Sequence, residues 1–328
     1  MRWVVYGAGA VGGVLGGRLF EAGHDVVLVA RGDHLRALRD HGLRVASPEG
    51  TRTLPVPAVA GAEELPRDEP MVVLLTVKSQ QTHAAVEDLV RWSSEASTPP
   101  SVVSVQNGVA NEGTLLRFFA DVYGVCVMMP TGHLRPGVVE AHCSPVPGIL
   151  DIGRFPGGVD DTTHRVARVF RSAGFVSEPR PDVMAWKHRK LIMNLGNAVQ
   201  ACCAPGPAAD DLRERARAEG EDVLAAADVP VVSEEDDQRR RGDILQAGEI
   251  PGHERTGGSS WQSLRRATGS IESDYLNGEI VRFGRLLGIP TPVNRLLCVT
   301  AQRMARSAAA PGTLDAVALI TGLDEVAS

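Results

Sequence analysis

The sequence lacks several features that would assign it to a specialised class of protein. Its 328 residues contain no run of 18 or more apolar residues, which excludes a transmembrane helix. Its formal net charge is −6, whereas proteins that bind duplex nucleic acid normally carry a basic stripe. Five glycines from Gly7 to Gly16 interrupt the apolar start of the chain, so we do not interpret it as a signal peptide. These absences predict a cytoplasmic protein without a membrane or nucleic-acid partner.

Cysteines are few, and their spacing excludes a metal site. The five cysteines are odd in number and scattered, and none has the spacing of metal ligands. Cys202 and Cys203 are adjacent, a spacing that suits neither a C-x-x-C motif nor an easy disulfide. We therefore predict reduced, packed thiols and no bound metal.

Lysine is scarce. Of the 34 basic residues, only Lys78, Lys187 and Lys190 are lysines. Arginine stays protonated, whereas lysine can give up a proton when its pKa is lowered. A lysine kept in this background is therefore a candidate for chemistry that arginine cannot perform, although three lysines must fall somewhere by chance.

Length and patterning predict two domains, since a domain usually has about 100–200 residues. Up to about residue 180, apolar runs of strand length alternate with helical periodicity, as in an α/β protein with a doubly wound parallel sheet. Beyond Pro179 helices dominate, and residues 234–246 have the pattern of a charged, solvated helix. We predict an α/β domain over residues 1–180 and an all-α domain over residues 181–328.

A glycine-rich segment separates the first predicted strand, residues 3–6, from the first predicted helix. In Gly7-x-Gly9-x-x-Gly12, the first glycine permits a tight turn, the second lets the backbone approach a pyrophosphate, and the third lets helix and strand pack closely. This context predicts a dinucleotide-binding loop, with the pyrophosphate at the helix N-terminus. The residues assigned to this loop are Gly7, Gly9, Ala10, Val11 and Gly12.

The end of the second predicted strand, residues 25–30, indicates which nicotinamide cofactor is bound. An acidic residue there usually binds the ribose hydroxyls of NAD, but this chain has Arg31, and Asp33 lies beyond the turn. Arg31 could meet a 2′-phosphate, which predicts NADP(H). The alternative is an ordinary surface arginine at a strand end.

Two more predicted strands end in polar residues. Lys78 follows the third strong strand and Asn107 follows the fourth. Open α/β sheets bind ligands at the carboxyl ends of their strands. We expect both residues on the rim of one site, with Lys78 near a phosphate or carboxylate and Asn107 near a carboxamide or hydroxyl.

Seven segments follow one another through most of the chain and form a single pattern. They are residues 7–12, 77–79, 106–108, 186–194, 259–264, 272–278 and 288–294. With these segments, the chain resembles the ketopantoate reductase (2-dehydropantoate 2-reductase) family, and the spacing from Ser260 to Glu272 is that of the family.

The resemblance implies a Rossmann-type domain and a helical domain, with the active site in the cleft between them. It also implies reduction of the ketone of ketopantoate by NADPH to give pantoate, on the route to pantothenate and coenzyme A. Lys190 then corresponds to the catalytic lysine and Glu272 to the acidic catalytic residue. The residues assigned to substrate by the resemblance are Lys78, Asn107, Asn194, Asn197 and Ser260, of which Lys78 and Asn107 also meet the cofactor.

A ketone that accepts a hydride develops negative charge on oxygen, and a positioned ammonium can stabilise that charge and donate the proton. Lys190 and Asn194 are four residues apart and share a helix face. Lys187 is one turn away, so the pattern alone leaves both lysines open. The family pattern, with lysine directly before leucine, selects Lys190.

Some positions depart from the family pattern. Ser263, Ile271 and Ser273 replace the usual residues, as do residues 198–201 after Asn197. A paralogue that reduces another small 2-oxo acid is therefore an alternative. A 3-hydroxyacid or 6-phosphogluconate-type dehydrogenase and a non-catalytic NADP(H) sensor are the others. A homodimer through the helical domain is compatible with each.

Overall fold

The computed structural model describes residues 1–253 and 257–327. The chain divides into two compact units. The first contains residues 1–186 and the described part of the segment 235–255, and the second contains residues 187–234 and the described residues from 257 onward. The first unit thus extends to Trp186, beyond the predicted boundary at residue 180. Residues 235–253 also belong to it, although the sequence predicted them within the helical domain.

The first unit carries the strands. They are β1 (Arg2–Tyr6), β2 (Val26–Val29), β3 (Leu43–Ser47), β4 (Gly50–Leu54), β5 (Ala58–Val59), β6 (Met71–Leu75), β7 (Ser101–Ser104), β8 (Val122–Met128), β9 (Thr131–Arg135), β10 (Val138–Ala141) and β11 (Ile149–Arg154).

Helices occur in both units and are numbered along the whole chain. They are α1 (Ala10–Glu21), α2 (Gly32–His41), α3 (Thr82–Ser93), α4 (Asn111–Leu115), α5 (Asp161–Ser172), α6 (Val183–Asn194), α7 (Gly196–Cys202), α8 (Pro207–Ala226), α9 (Glu234–Arg241), α10 (Ser259–Arg265), α11 (Asn277–Leu287), α12 (Pro292–Arg306) and α13 (Ala316–Ala327). Short 3-10 helices lie at Ala62–Glu64, Ser79–Gln81 and Glu272–Tyr275.

The main sheet has seven strands in the order β11-β8-β7-β6-β1-β2-β5, and all pairs are parallel except β8 with β11. Both faces are covered, because Trp3 and Val5 enter one hydrophobic core while Val4 and Tyr6 enter another. Strands buried on two faces explain the continuous apolar runs in the sequence. The predicted doubly wound α/β domain is confirmed.

A second sheet, in the order β4-β3-β10-β9, packs against α1. Its β3–β4 hairpin was not predicted, and β10 pairs parallel with β3, about ninety residues earlier in the chain. Local periodicity contains no information about such a distant pairing.

The segment after residue 234 begins with a mostly exposed helix, as predicted, but the helix is shorter than expected and two of its side chains are turned inward. The helix α9 ends at Arg241, and the Asp237 side chain is only 1% exposed. Arg240 donates from Nε and Nη2 to the buried carboxylate of Asp151, both at 2.7 Å. Further along, Ala247 forms an antiparallel bridge with Cys143. These contacts assign the segment to the first unit.

A buried polar network joins the helices of the second unit. Asn277 donates to the Leu195 carbonyl at 3.1 Å and to Oδ1 of Asn294 at 2.9 Å. Asn294 donates in turn to the Ala216 carbonyl, and its backbone N–H donates to Glu219 at 2.8 Å. The Glu219 carboxylate thereby caps the N-terminus of α12, where its charge favours the helix dipole.

Two further expectations concern the thiols and the membrane. All five cysteines are free, and burial raises the pKa of Cys202 to about 12, so this thiol stays protonated. In the part of the chain that the structure describes, no helix combines the length and apolar character needed to cross a membrane.

Candidate active site

The glycine loop lies at the carboxyl end of β1, directly before α1. Gly7 has φ +114°, a conformation that favours glycine. A Cβ on Gly12 would lie 2.5 Å from Oγ1 of Thr76 and would overlap the Gly7 carbonyl oxygen. A Cβ on Gly9 would meet nothing within 4 Å. Gly7 and Gly12 are therefore required by the fold, whereas space next to Gly9 is open for a ligand.

Thr76, which sequence analysis did not single out, directly follows β6 and holds this loop by hydrogen bonds. Its hydroxyl lies 2.7 Å from the Gly7 carbonyl oxygen and 3.2 Å from that of Tyr6. Its backbone N–H also donates to the Tyr6 carbonyl, at 3.0 Å. The signal that could have identified Thr76 is a hydroxyl residue ending an otherwise apolar strand.

Arg31 lies beside the same loop. The backbone N–H groups of Gly7 and Ala8 donate to the Val29 carbonyl at 3.1 and 3.0 Å, so the end of β2 is joined to the loop. Two residues later, the exposed Arg31 donates to the Tyr6 hydroxyl at 3.4 Å. The first helical residues, Ala10 and Val11, point their N–H groups out of the α1 N-terminus, where an anion is favoured.

Lys78 and Asn107 follow β6 and β7, whose last residues, Leu75 and Ser104, are paired. Both lie at the same sheet edge as the glycine loop, since Leu75 is also paired with Tyr6. The structure therefore places the predicted residues of the first unit along a single edge of the parallel sheet.

A buried network holds the Lys78 and Asn107 loops together. Gln106 Nε2 donates to the Val77 carbonyl at 2.8 Å and to the Thr82 hydroxyl at 3.0 Å. The Thr82 hydroxyl donates to Oδ1 of Asn111, whose Nδ2 donates to the Asn107 carbonyl at 3.2 Å. Buried polar groups with all partners in place rigidify their surroundings. Sequence analysis missed Thr82 and Asn111 because their hydrogen bonds join two loops that are far apart in the sequence.

In the second unit, α6 carries the two candidate lysines. Lys190 is half-buried and lies one turn before Asn194, which is 6% exposed. Lys187 is buried more deeply, at 3% exposed. Residues four apart on a helix share a face, so Lys190 and Asn194 can act on one ligand.

Asn197 and Ser260 lie on the packed pair α7 and α10. Oδ1 of Asn197 is 3.8 Å from the position of a Cβ on Gly258, and the Gly258 N–H donates to Gln200 at 2.9 Å. Ser260, two residues later, is only 2% exposed. The structure thus brings Asn197 close to the segment that carries Ser260.

Glu272 begins a 3-10 helix and is 2% exposed, so it is not a solvated carboxylate. Its two neighbours are held by one side chain of α12. Gln302 Nε2 lies 3.3 Å from the Ile271 carbonyl and 3.3 Å from the Ser273 hydroxyl. Gln302, also missed by sequence analysis, thus contacts the backbone before Glu272 and the side chain after it.

Two family models cover most of the chain. Residues 3–157 match the model described as ketopantoate reductase PanE/ApbA, and residues 182–305 match the model of the C-terminal part of that reductase.

Individual relatives agree with this match. The 2-dehydropantoate 2-reductase of Halobacterium salinarum is 31% identical over 90% of this chain and 96% of its own length. The enzyme of the same name from Pyrococcus horikoshii is 28% identical over 90% of this chain and 95% of its own length.

Solved structures show the same fold. A PanE/ApbA family ketopantoate reductase from Ralstonia eutropha has a TM-score of 0.76 and 28% identity, and the match covers 94% of this chain and 99% of that one. A D-mandelate dehydrogenase with NADH and anilino(oxo)acetate has a TM-score of 0.78 over the same shares, but at 20% identity it supports the fold alone. The predicted family is confirmed, and this chain is an oxidoreductase that belongs to the ketopantoate reductase family.

Proposed function

We propose that this protein reduces the ketone of 2-dehydropantoate to pantoate with NADPH, in the cytoplasm, as a step toward pantothenate and coenzyme A. The observation that carries the proposal is the burial of polar residues that the chemistry needs. Ser260 and Glu272 are each 2% exposed, on two different segments of the helical unit. A hydroxyl and a carboxylate enclosed in the helical unit are groups that can bind the polar groups of a small hydroxylated 2-oxo acid, which supports this assignment.

The first unit fits a dinucleotide. The open space beside Gly9 and the N-terminus of α1 suit a pyrophosphate, with Ala10, Val11 and Gly12 supplying backbone N–H groups. Arg31, exposed at the end of β2, would hold the 2′-phosphate that distinguishes NADPH from NADH. When bound, the nicotinamide supplies the hydride.

The other residues act on the substrate. The Lys190 ammonium stabilises the charge that develops on the ketone oxygen and donates the proton to it. Asn194, on the same face of α6, and Asn197 bind and orient the substrate. Ser260 binds its carboxylate, and Glu272 holds the Lys190 ammonium and accepts a hydrogen bond from a substrate hydroxyl.

Lys78 and Asn107 complete the assignment in the first unit. Both would contact the cofactor and the substrate, with Lys78 providing positive charge and Asn107 an amide. The network through Gln106 and Asn111 keeps their loops in register. We also propose a homodimer formed through the helical unit.

A second candidate is the reduction of another small 2-oxo acid by the same residues. The observation that favours it is the set of departures around Glu272 and Ser260, where Ser263, Ile271 and Ser273 are all buried. Buried substitutions next to a substrate pocket would change its shape while leaving the hydride chemistry intact.

The test is to follow nicotinamide absorbance with NADPH and a panel of 2-oxo acids that includes 2-dehydropantoate. We expect 2-dehydropantoate to have the highest kcat/KM. A higher value with another 2-oxo acid would select the second candidate. Cofactor binding without turnover of any panel member would indicate a non-catalytic sensor.

A further inference from the structure

His34 connects the glycine loop to the second sheet. It lies in the first turn of α2, and its ring is half-buried. Its Nε2 is 2.7 Å from the carbonyl oxygen of Ala8, which lies between Gly7 and Gly9. Its Nδ1 accepts a hydrogen bond from the Gly137 N–H at 2.8 Å, in the turn between β9 and β10.

These two contacts determine the state of the ring. A backbone N–H can only donate, so Nδ1 must carry a lone pair and the proton must be on Nε2. Nε2 then donates to the Ala8 carbonyl. Burial lowers the pKa of His34, which favours the same neutral ring. The His133 ring packs beside it, with 4.4 Å between the ring centroids.

The Ala8 carbonyl belongs to the peptide group that leads into Gly9. A trans peptide is planar, so fixing the carbonyl also fixes the plane of the Gly9 N–H, which donates to the Gly7 carbonyl at 2.8 Å. The Ala8 N–H is fixed as well, because it donates to the Val29 carbonyl at 3.0 Å. The loop is therefore held on both sides of Ala8, directly before the glycine where space is open for a ligand.

We propose that His34 is a positioning residue for the dinucleotide, holding the Ala8–Gly9 peptide so that the open space beside Gly9 and the N–H groups at the start of α1 stay in place for the pyrophosphate. This inference depends on the proposed use of a nicotinamide dinucleotide. His34 acts through the backbone and does not itself touch the reacting atoms. It also ties the loop to Gly137, so the second sheet supports the cofactor site.

The experiment compares two substitutions at this position by fluorescence titration with NADPH. His34→Phe keeps a ring against His133 but removes both hydrogen bonds. His34→Gln keeps an amide donor and a carbonyl acceptor. Loss of two hydrogen bonds is expected to raise the Kd of His34→Phe at least ~10-fold. His34→Gln should stay within about 3-fold of the wild type, and kcat at saturating NADPH should change little in both.

The matched control is His24→Phe, since His24 lies before β2 at the opposite edge of the sheet and bonds Ser172 at 2.8 Å. Its Kd for NADPH should equal that of the wild type. If His34→Phe does not fold, His34→Leu is titrated in its place.

Three results would overturn the inference. An unchanged Kd for NADPH in His34→Phe would show that the hydrogen bonds of His34 do not affect cofactor binding. An equal rise of the Kd in the Phe and Gln variants would show that His34 acts only through packing. A wild-type protein that binds neither NADPH nor NADH would remove the inference together with the proposed cofactor. The first two results would leave the proposed function intact.

Discussion

The Arg31 guanidinium donates a hydrogen bond to the Tyr6 hydroxyl, with 3.4 Å between Nη2 and Oη. The same hydroxyl donates to the Asp88 carboxylate at 2.6 Å. Burial, together with Asp88, raises the pKa of Tyr6, so the phenol stays neutral. Arg31 is therefore oriented by a neutral group beside the glycine loop, and its charge remains available to a ligand.

Arg31→Ala should lower the affinity for NADPH by about 10–150-fold, the value of one charge-assisted hydrogen bond. The affinity for NADH should change little, because NADH has no 2′-phosphate. Titration calorimetry with both cofactors measures the two effects. Arg36→Ala is the control, since Arg36 is exposed on α2, which begins directly after Arg31, and pairs with Asp33. Equal wild-type affinities for NADPH and NADH would contradict the prediction.

Lys190→Ala should lower kcat by about 10²–10⁴-fold, the usual contribution of a general acid. The Kd for NADPH should stay nearly constant. Lys190→Arg should restore little activity, because a guanidinium does not give up its proton. Steady-state rates and cofactor titrations separate the two effects.

Lys187→Ala is the comparison, since Lys187 lies one turn away on α6 and is more deeply buried. It should keep most of its turnover. If Lys187→Ala is the inactive variant and Lys190→Ala is active, the assignment of the catalytic lysine is wrong.

Removing the 4-hydroxyl of 2-dehydropantoate should lower kcat/KM by at least ~10²-fold, because a site built for a hydroxyl leaves its polar groups unpaired without it. Glu272→Ala should erase most of this discrimination. Asp274→Asn removes the charge of an exposed carboxylate on the same 3-10 helix but keeps an oxygen acceptor for Gln302 Nε2, and it should keep the discrimination. Similar kcat/KM values for both substrates with the wild type would reject 2-dehydropantoate and favour another 2-oxo acid.

Arg240→Ala should destabilise the protein by about 3–5 kcal/mol, because it leaves the buried Asp151 carboxylate without its main cation. Arg239→Ala removes the neighbouring arginine, whose partners Glu235 and Asp236 are exposed, and should change stability by less than about 0.5 kcal/mol. Urea unfolding measures both values. Equal effects of the two substitutions would show that the Arg240 pair is not structurally important.

Sequence alone predicted the elements whose signal is local. The apolar runs of β1 and β6 and the glycines between β1 and α1 predicted the sheet and the loop, and parallel strands necessarily end at one edge. Sequence alone could not predict three sets of hydrogen bonds. They are the network through Gln106 and Asn111, the bonds from Thr76 to the glycine loop, and the bond from His34 to Ala8. Each depends on residues that become neighbours only after folding, and their types are common in ordinary turns and helices.

The segment around Arg240 is mostly exposed, as its pattern predicts, but two of its charged side chains depart from that pattern. A run such as residues 234–241 has a charged pattern that is typical of a solvated surface. In the structure Arg240 and Asp237 are turned inward, and a buried carboxylate supplies the missing partner for Arg240. A charged residue can therefore be buried when the fold places an opposite charge beside it, as it places Asp151 beside Arg240.

The return of this segment has a consequence for protein synthesis. Residue 186 is made before the segment that contains Arg240, and at 5–20 residues per second the delay is roughly 2–10 s. During that time the nascent α/β unit holds Asp151 without Arg240, and Cys143 without its bridge to Ala247. Helices α7 and α8 are translated within the same interval. The residues of the two units are therefore synthesised in an interleaved order, and the first unit is complete only after part of the second has been made.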